Sequence, residues 1–278
     1  MIQILILQFL LVGAAGTQEE TAELIGRDMC LACHEVTNGF LSSTHGDAEC
    51  EGCHGPGSLH MDSGGDTPPT FEGKAPNWVS DQCRSCHGKA EDSLSLFRQG
   101  PHSRNQVSCI ECHQIHPVKA NFGLLKEGPV ELCTSCHHSV EAAFRKPFHH
   151  PVLEGGMTCL ECHNPHSDPE QSFSRLEVFP KNGCVSCHAD KRGPFVFEHA
   201  SSRVNGCMAC HQPHGSFNSK LLVRNEVHQL CLECHSMTPN IATAQPPAIH
   251  DLRSPRYRNC TTCHREIHGS NVSPAFFR

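Results

Sequence analysis

The sequence predicts short helices and irregular loops wrapped around bound cofactors, built from repeats and lacking a large apolar core. Three observations lead there. All 20 cysteines of the 278-residue chain fall into ten copies of one pentapeptide, Cys-x-x-Cys-His. The copies recur in pairs at a near-constant period. The residues of an ordinary core are scarce, with one Trp, one Tyr and 37% apolar residues in all.

The first five copies are Cys30, Cys33 and His34; Cys50, Cys53 and His54; Cys83, Cys86 and His87; Cys109, Cys112 and His113; and Cys133, Cys136 and His137. The second five are Cys159, Cys162 and His163; Cys184, Cys187 and His188; Cys207, Cys210 and His211; Cys231, Cys234 and His235; and Cys260, Cys263 and His264. This is the attachment signature of c-type haem, in which both thiols form thioethers with the haem and the histidine is placed to ligate the iron. Zinc ribbons also use Cys-x-x-Cys, but zinc does not require a histidine directly after every second cysteine. A disulfide framework would not repeat one local spacing ten times. The fold class is therefore a multihaem c-type cytochrome: ten covalently bound haem c groups, twenty thioether cysteines and ten proximal histidines.

In chain order, residues 1–16 read as a secretory signal: apolar, too short to span a bilayer, and ending in small residues. They carry no Lys or Arg, which is atypical of such segments. From there on, about 26 residues are available per haem, so the haems must form the core of an extended, thinly wrapped shape. With 22 Gly and 19 Pro, long helices and sheets are not expected. Short helices should form at the motifs, for example around residues 130–145. The formal charge is −7, and ionised haem propionates would carry it to roughly −17, which disfavours nucleic acid as a partner.

The 23 histidines hold a second repeat. The odd-numbered motifs begin at Cys30, Cys83, Cys133, Cys184 and Cys231, a period of 47 to 53 residues, which divides the chain into five dihaem units. One spare histidine lies between the two motifs of each unit: His45, His102, either His149 or His150, His199 and His250. Another follows the second motif: His60, His116, His166, His214 and His268. These are the expected distal iron ligands, ten for ten irons. His113 and His116, three residues apart, would share one face of a helical turn, so the later one should ligate a different haem. His138, His228 and one of His149/His150 remain over as ordinary polar residues. Met61 and Met157 are rival axial ligands by type, but the histidines already saturate the irons.

An iron with two histidine ligands has no open position for a substrate. It passes electrons, and ligation without methionine favours low potential. The expected function is electron transfer, not enzymatic catalysis.

At this point the chain resembles the periplasmic decahaem cytochromes of the DmsE/MtrA type, over essentially everything after the signal. The stretches that carry the resemblance are Cys50-Glu-Gly-Cys53-His54-Gly-Pro-Gly-Ser-Leu-His60, Val107-Ser-Cys109-Ile-Glu-Cys112-His113-Gln-Ile-His116 and Cys260-Thr-Thr-Cys263-His264-Arg-Glu-Ile-His268-Gly-Ser-Asn271. The resemblance implies ten bis-histidine haems in one chain, held inside an outer-membrane β-barrel porin. It also implies a periplasmic or inner-membrane cytochrome donor, and an extracellular multihaem cytochrome or terminal reductase beyond the membrane. It suggests two five-haem halves, 17–140 and 141–278, with a soft boundary, whereas the histidines divide into five units. A barrel satisfies its backbone hydrogen bonds in lipid and can house a polar guest, so the cytochrome needs no apolar belt of its own. A soluble periplasmic shuttle, a multihaem reductase and an extracellular filament are the alternatives. All ten motifs end in His, which weighs against the reductase.

Overall fold

The computed structural model describes residues 21–66, 71, 73–89, 94–119, 121–166, 183–235, 250, 252 and 254–278. The expected signal segment lies outside them. Among the described residues, secondary structure consists of short α- and 3-10 helices and four isolated antiparallel bridges, with no extended strand.

Each motif folds as one helical turn. The histidine N–H donates to the carbonyl of the first cysteine: His34 to Cys30 at 2.9 Å, His113 to Cys109 at 3.0 Å, His137 to Cys133 at 3.0 Å and His264 to Cys260 at 3.0 Å. Residues i, i+3 and i+4 of such a turn share one face, so both thiols and the ring emerge on the same side. Helices extend beyond the motif only where the sequence supports them. The longest, Pro76–His87, opens on a proline at its first turn, where the missing N–H costs nothing, and stops at Gly88. The helix Pro129–Thr134 opens the same way. The short helices expected near 130–145 are two, Pro129–Thr134 and His138–Phe144, separated at His137, whose φ −91° and ψ 53° interrupt the ladder.

The dipeptide-spaced histidines are not on helical turns. The helix Cys109–Cys112 ends at its motif, and His113 is extended at φ −104°, ψ 141°. This corrects the expectation of a shared helical face for His113 and His116. In the related stretches, Pro165 and Pro213 restrict the residue before them and steer the chain out of the α region.

Units are joined through the backbone around these turns. Phe148 and Ser216 exchange N–H···O bonds of 3.1 and 2.8 Å, and Phe197 and Ser270 exchange two of 2.8 Å. Each bridge ties the residue two before an interior histidine to the residue two after a trailing histidine of the next unit. Gly215 sits inside one such junction at φ +149°, and a Cβ there would lie 2.0 Å from the Ala143 carbonyl oxygen.

The apolar core is slight. Among the described residues only Phe40, Val79, Phe97, Phe144 and Val152 are buried apolar side chains, and no large side chain is completely enclosed. A chain this long with so little apolar burial needs another source of cohesion.

Candidate haem-binding sites

Ten motif histidines face ten other histidines. His34 lies against His60 with ring centroids 5.8 Å apart, His87 against His45 at 5.8 Å, His54 against His116 at 6.1 Å, and His113 against His166 at 6.0 Å. His137 lies against His102 at 6.2 Å, His163 against His214 at 5.9 Å, and His188 against His150 at 6.3 Å. His235 lies against His199 at 6.2 Å, His211 against His268 at 6.2 Å, and His264 against His250 at 6.3 Å.

These separations suit one metal ion between two rings. An imidazole–metal bond is about 2.0–2.1 Å, so opposed nitrogens sharing an ion stand about 4 Å apart and their ring centroids about 6 Å. In one pair, His45 Nε2 and His87 Nε2 are 3.5 Å apart. Several rings are fixed through Nδ1. His113 donates to Gly123 O at 2.7 Å, His211 to Lys220 O at 2.8 Å and His264 to Ala275 O at 2.5 Å. His102 donates to Pro165 O at 3.2 Å and His150 to Pro213 O at 2.8 Å. A proton held at Nδ1 leaves the Nε2 lone pair free to ligate.

The electrostatics agree. Burial, and then the facing histidine, push His45, His116, His199 and His214 below the ordinary histidine value, and burial followed by His137 does the same to His163. These rings are neutral at pH 7, as a metal ligand must be. His149 differs. The Glu154 carboxylate, 2.9 Å from its Nε2, raises it, and its Nδ1 bonds to Lys146 O. With both ring nitrogens engaged, His149 faces no motif histidine. Of the two candidates the sequence left open, His150 is the one set against a motif.

The thiols order the motifs. Within each unit the first cysteines meet: Cys30 with Cys50, Cys83 with Cys109, Cys133 with Cys159, Cys184 with Cys207 and Cys231 with Cys260 are in hydrogen-bonding contact. Between units the second cysteines approach: Cys53 and Cys86, Cys112 and Cys136, Cys162 and Cys187, Cys210 and Cys234 interact electrostatically. All nine consecutive pairs of motifs are thus neighbours. The histidine donors occur in twos, and no group of three or more metal-binding side chains forms among the described residues, which leaves no four-donor zinc site there.

The histidine pairing follows one rule that the spacing did not give. At each junction between units, the interior histidine of one unit faces the odd motif of the next, and the trailing histidine of the next faces the even motif of the first. Four junctions account for eight pairs, and the two terminal pairs, His34–His60 and His250–His264, close within their own units. Sequence reasoning missed the carbonyls that hold the rings. The doubled apolar residues Leu124-Leu125, Leu221-Leu222 and Phe276-Phe277, each a short way past an even motif, were the available signal.

Comparison with known proteins decides the family. The chain is 35% identical over 270 residues to the multiheme cytochrome MtrA of Shewanella baltica (strain OS185), an alignment covering 88% of this chain and 79% of that protein. The chain belongs to the MtrA family of multihaem cytochromes. The family description "Doubled CXXCH motif" also matches, at residues 101–142, 149–193 and 199–239. Each match begins at or beside an interior histidine and runs through the odd motif which that histidine faces, as with His102 and His137. This MtrA-type chain is a c-type cytochrome with covalently bound haem, an electron carrier and not an enzyme. Among its described residues no helix is long and apolar enough to cross a membrane.

Proposed function

We propose that each of the ten facing histidine pairs holds one iron, that all ten haems are therefore six-coordinate, and that this cytochrome carries electrons between the periplasm and the cell exterior inside an outer-membrane porin. The observation that carries the reading is the unbroken succession of facing pairs along a chain of neighbouring motifs. Bound haem supplies the ferric/ferrous couple. The polypeptide would supply two histidine nitrogens per iron, close each iron to substrates, and keep consecutive attachment turns beside one another so that the redox centres stand close together in sequence order.

The residues that would hold the haems are the motif cysteines and histidines, with His45, His60, His102, His116, His150, His166, His199, His214, His250 and His268 as distal ligands. The exchange of ligands between units makes every junction depend on iron, which offsets the slight apolar core. The two ends also differ in charge. Residues 17–72 carry eleven acidic side chains against one Arg, whereas residues 250–278 carry two acidic side chains against five Arg. Partners meeting the first and last haems therefore need unlike surfaces, which fits a conduit between a donor and a different acceptor.

The test has two parts. Low-temperature EPR of the oxidised protein, with haem counted on the same sample, should show ten haems and only low-spin iron. The cytochrome reconstituted with its outer-membrane barrel in liposomes should then reduce an enclosed acceptor from outside. A stoichiometric high-spin signal would turn the reading towards a reductase. Full low-spin iron with no barrel association and no transfer would turn it towards a soluble shuttle.

A further inference from the structure

The loops that follow three of the even motifs share a backbone device. In each, one carbonyl accepts from the Nδ1 of the motif histidine, and the next residue has positive φ although it is not glycine. Gly123 O holds His113 and Leu124 follows at φ +53°; Lys220 O holds His211 and Leu221 follows at +57°; Ala275 O holds His264 and Phe276 follows at +57°. The carbonyl of the strained residue also turns back, accepting from Gln114 N at 2.8 Å, Gln212 N at 2.7 Å and Glu266 N at 3.0 Å respectively. The left-handed residue aims two successive carbonyls at the motif, one at the ring and one at the backbone beside it. Bulky side chains rarely adopt this conformation, and where they do it marks a constraint that the surroundings enforce.

Every clamped ring is near parallel to its partner, although His34–His60 at 22° and His199–His235 at 11° reach that orientation without this clamp. The three clamped motif histidines lie at interplanar angles of 20°, 17° and 16° to their partners. The two pairs anchored instead through the partner's Nδ1, His102 on Pro165 and His150 on Pro213, stand at 57° and 58°.

We propose that Leu124, Leu221 and Phe276 are positioning residues, whose strained backbones fix the planes of His113, His211 and His264 nearly parallel to those of their distal partners and strengthen these rings as iron ligands. This rests on the ligation proposed above. A carbonyl drawing on the Nδ1 proton raises the basicity of Nε2. A more basic ligand favours ferric iron, so the fourth, eighth and tenth haems are set to lower potential than they would have without the clamp. The sequence thereby builds two kinds of site from one motif.

The experiment compares two triple variants of the holoprotein by EPR-monitored redox titration. Near-parallel axial rings give a rhombic low-spin ferric signal, and crossed rings a strongly axial one. Five pairs lie within 22° of parallel, three of them clamped. In Leu124→Ile/Leu221→Ile/Phe276→Ile, the β-branched residues resist positive φ. About three fifths of the rhombic intensity should move to the axial signal, and those haems should titrate at higher potential. In Leu124→Gly/Leu221→Gly/Phe276→Gly, the backbone keeps its turn without a side chain, and both readouts should stay as in the parent. If the Gly variant loses the rhombic signal while the Ile variant keeps it, side-chain packing is the agent and the proposal fails; it fails equally if the two variants behave alike. Should the triple Ile variant not mature, Leu221→Ile alone should move about one fifth of the rhombic signal. High-spin iron or fewer than ten haems in the parent would overturn the ligation itself, a result distinct from any of these.

Discussion

The rings of His54 and His116 face one another with centroids 6.1 Å apart, although His116 follows a different motif histidine, His113, by only three residues. His113 turns instead to His166, 6.0 Å away. Phe40, buried and stacked on His116 at 4.6 Å, holds the ring towards the earlier motif. Neighbouring histidines in sequence thus face different partners, and each junction is crossed in both directions.

Removing one distal ring should open one specific iron. His116→Ala should leave haem content unchanged and produce a single high-spin signal from the haem held by Cys50, Cys53 and His54. Deleting that attachment site as well, with Cys50→Ala and Cys53→Ala, should abolish the signal. Persistence of the high-spin iron in the combined variant would mean that His116 serves another haem.

The adjacent histidines 149 and 150 should behave oppositely. His150→Ala should open one iron, the one beside His188. His149→Ala removes only the contacts with Glu154 and Lys146 and should leave the spectrum low-spin throughout. Resonance Raman spin-state markers on the two variants give a direct comparison.

Gly215 should tolerate no side chain. Its φ of +149° is unfavourable for other residues, and an added Cβ would meet the Ala143 carbonyl oxygen at 2.0 Å, a backbone atom with little freedom to retreat. Gly215→Ala should destabilise the protein by about 2 kcal/mol or more. Thermal melting should register this, with weakened protection from hydrogen exchange at the Phe148 and Ser216 amides.

Acid should loosen the N-terminal unit. The Glu51 carboxylate accepts from Ile25 N at 2.9 Å, Gly26 N at 2.8 Å and Gly57 N at 2.8 Å. The backbone bonds, that from Ile25 foremost, hold its pKa below the ordinary value. A carboxylate with a depressed folded-state pKa stabilises above its unfolded value, about 4.3, and that contribution disappears as pH falls through the folded value. Hydrogen exchange at Ile25 and Gly26 should therefore accelerate, beyond its intrinsic pH dependence, as the solution is acidified below about pH 4. Glu51→Gln should remove that acid-dependent step; an unchanged step would place its origin elsewhere.

Much of the site was legible in the chain because it is local. Cys-x-x-Cys-His fits in one helical turn, and backbone geometry alone puts its two thiols and its ring on one face. The equal number of spare histidines, set at matching places in each unit, was legible for the same reason. The short helices expected around 130–145 form there as two, Pro129–Thr134 and His138–Phe144, because the motif ends its own turn at His137.

By itself the sequence determined the attachment turns, the repeat, the family and the scarcity of any apolar core. Only the tertiary structure decided which histidine faces which, that His150 and not His149 faces a motif, and which carbonyls hold the rings. The reason is range. The histidines that face across a junction are separated by 35 to 62 residues, so their pairing depends on how one unit docks on the next, at two junctions through the Phe148–Ser216 and Phe197–Ser270 bridges, a register that no local spacing encodes.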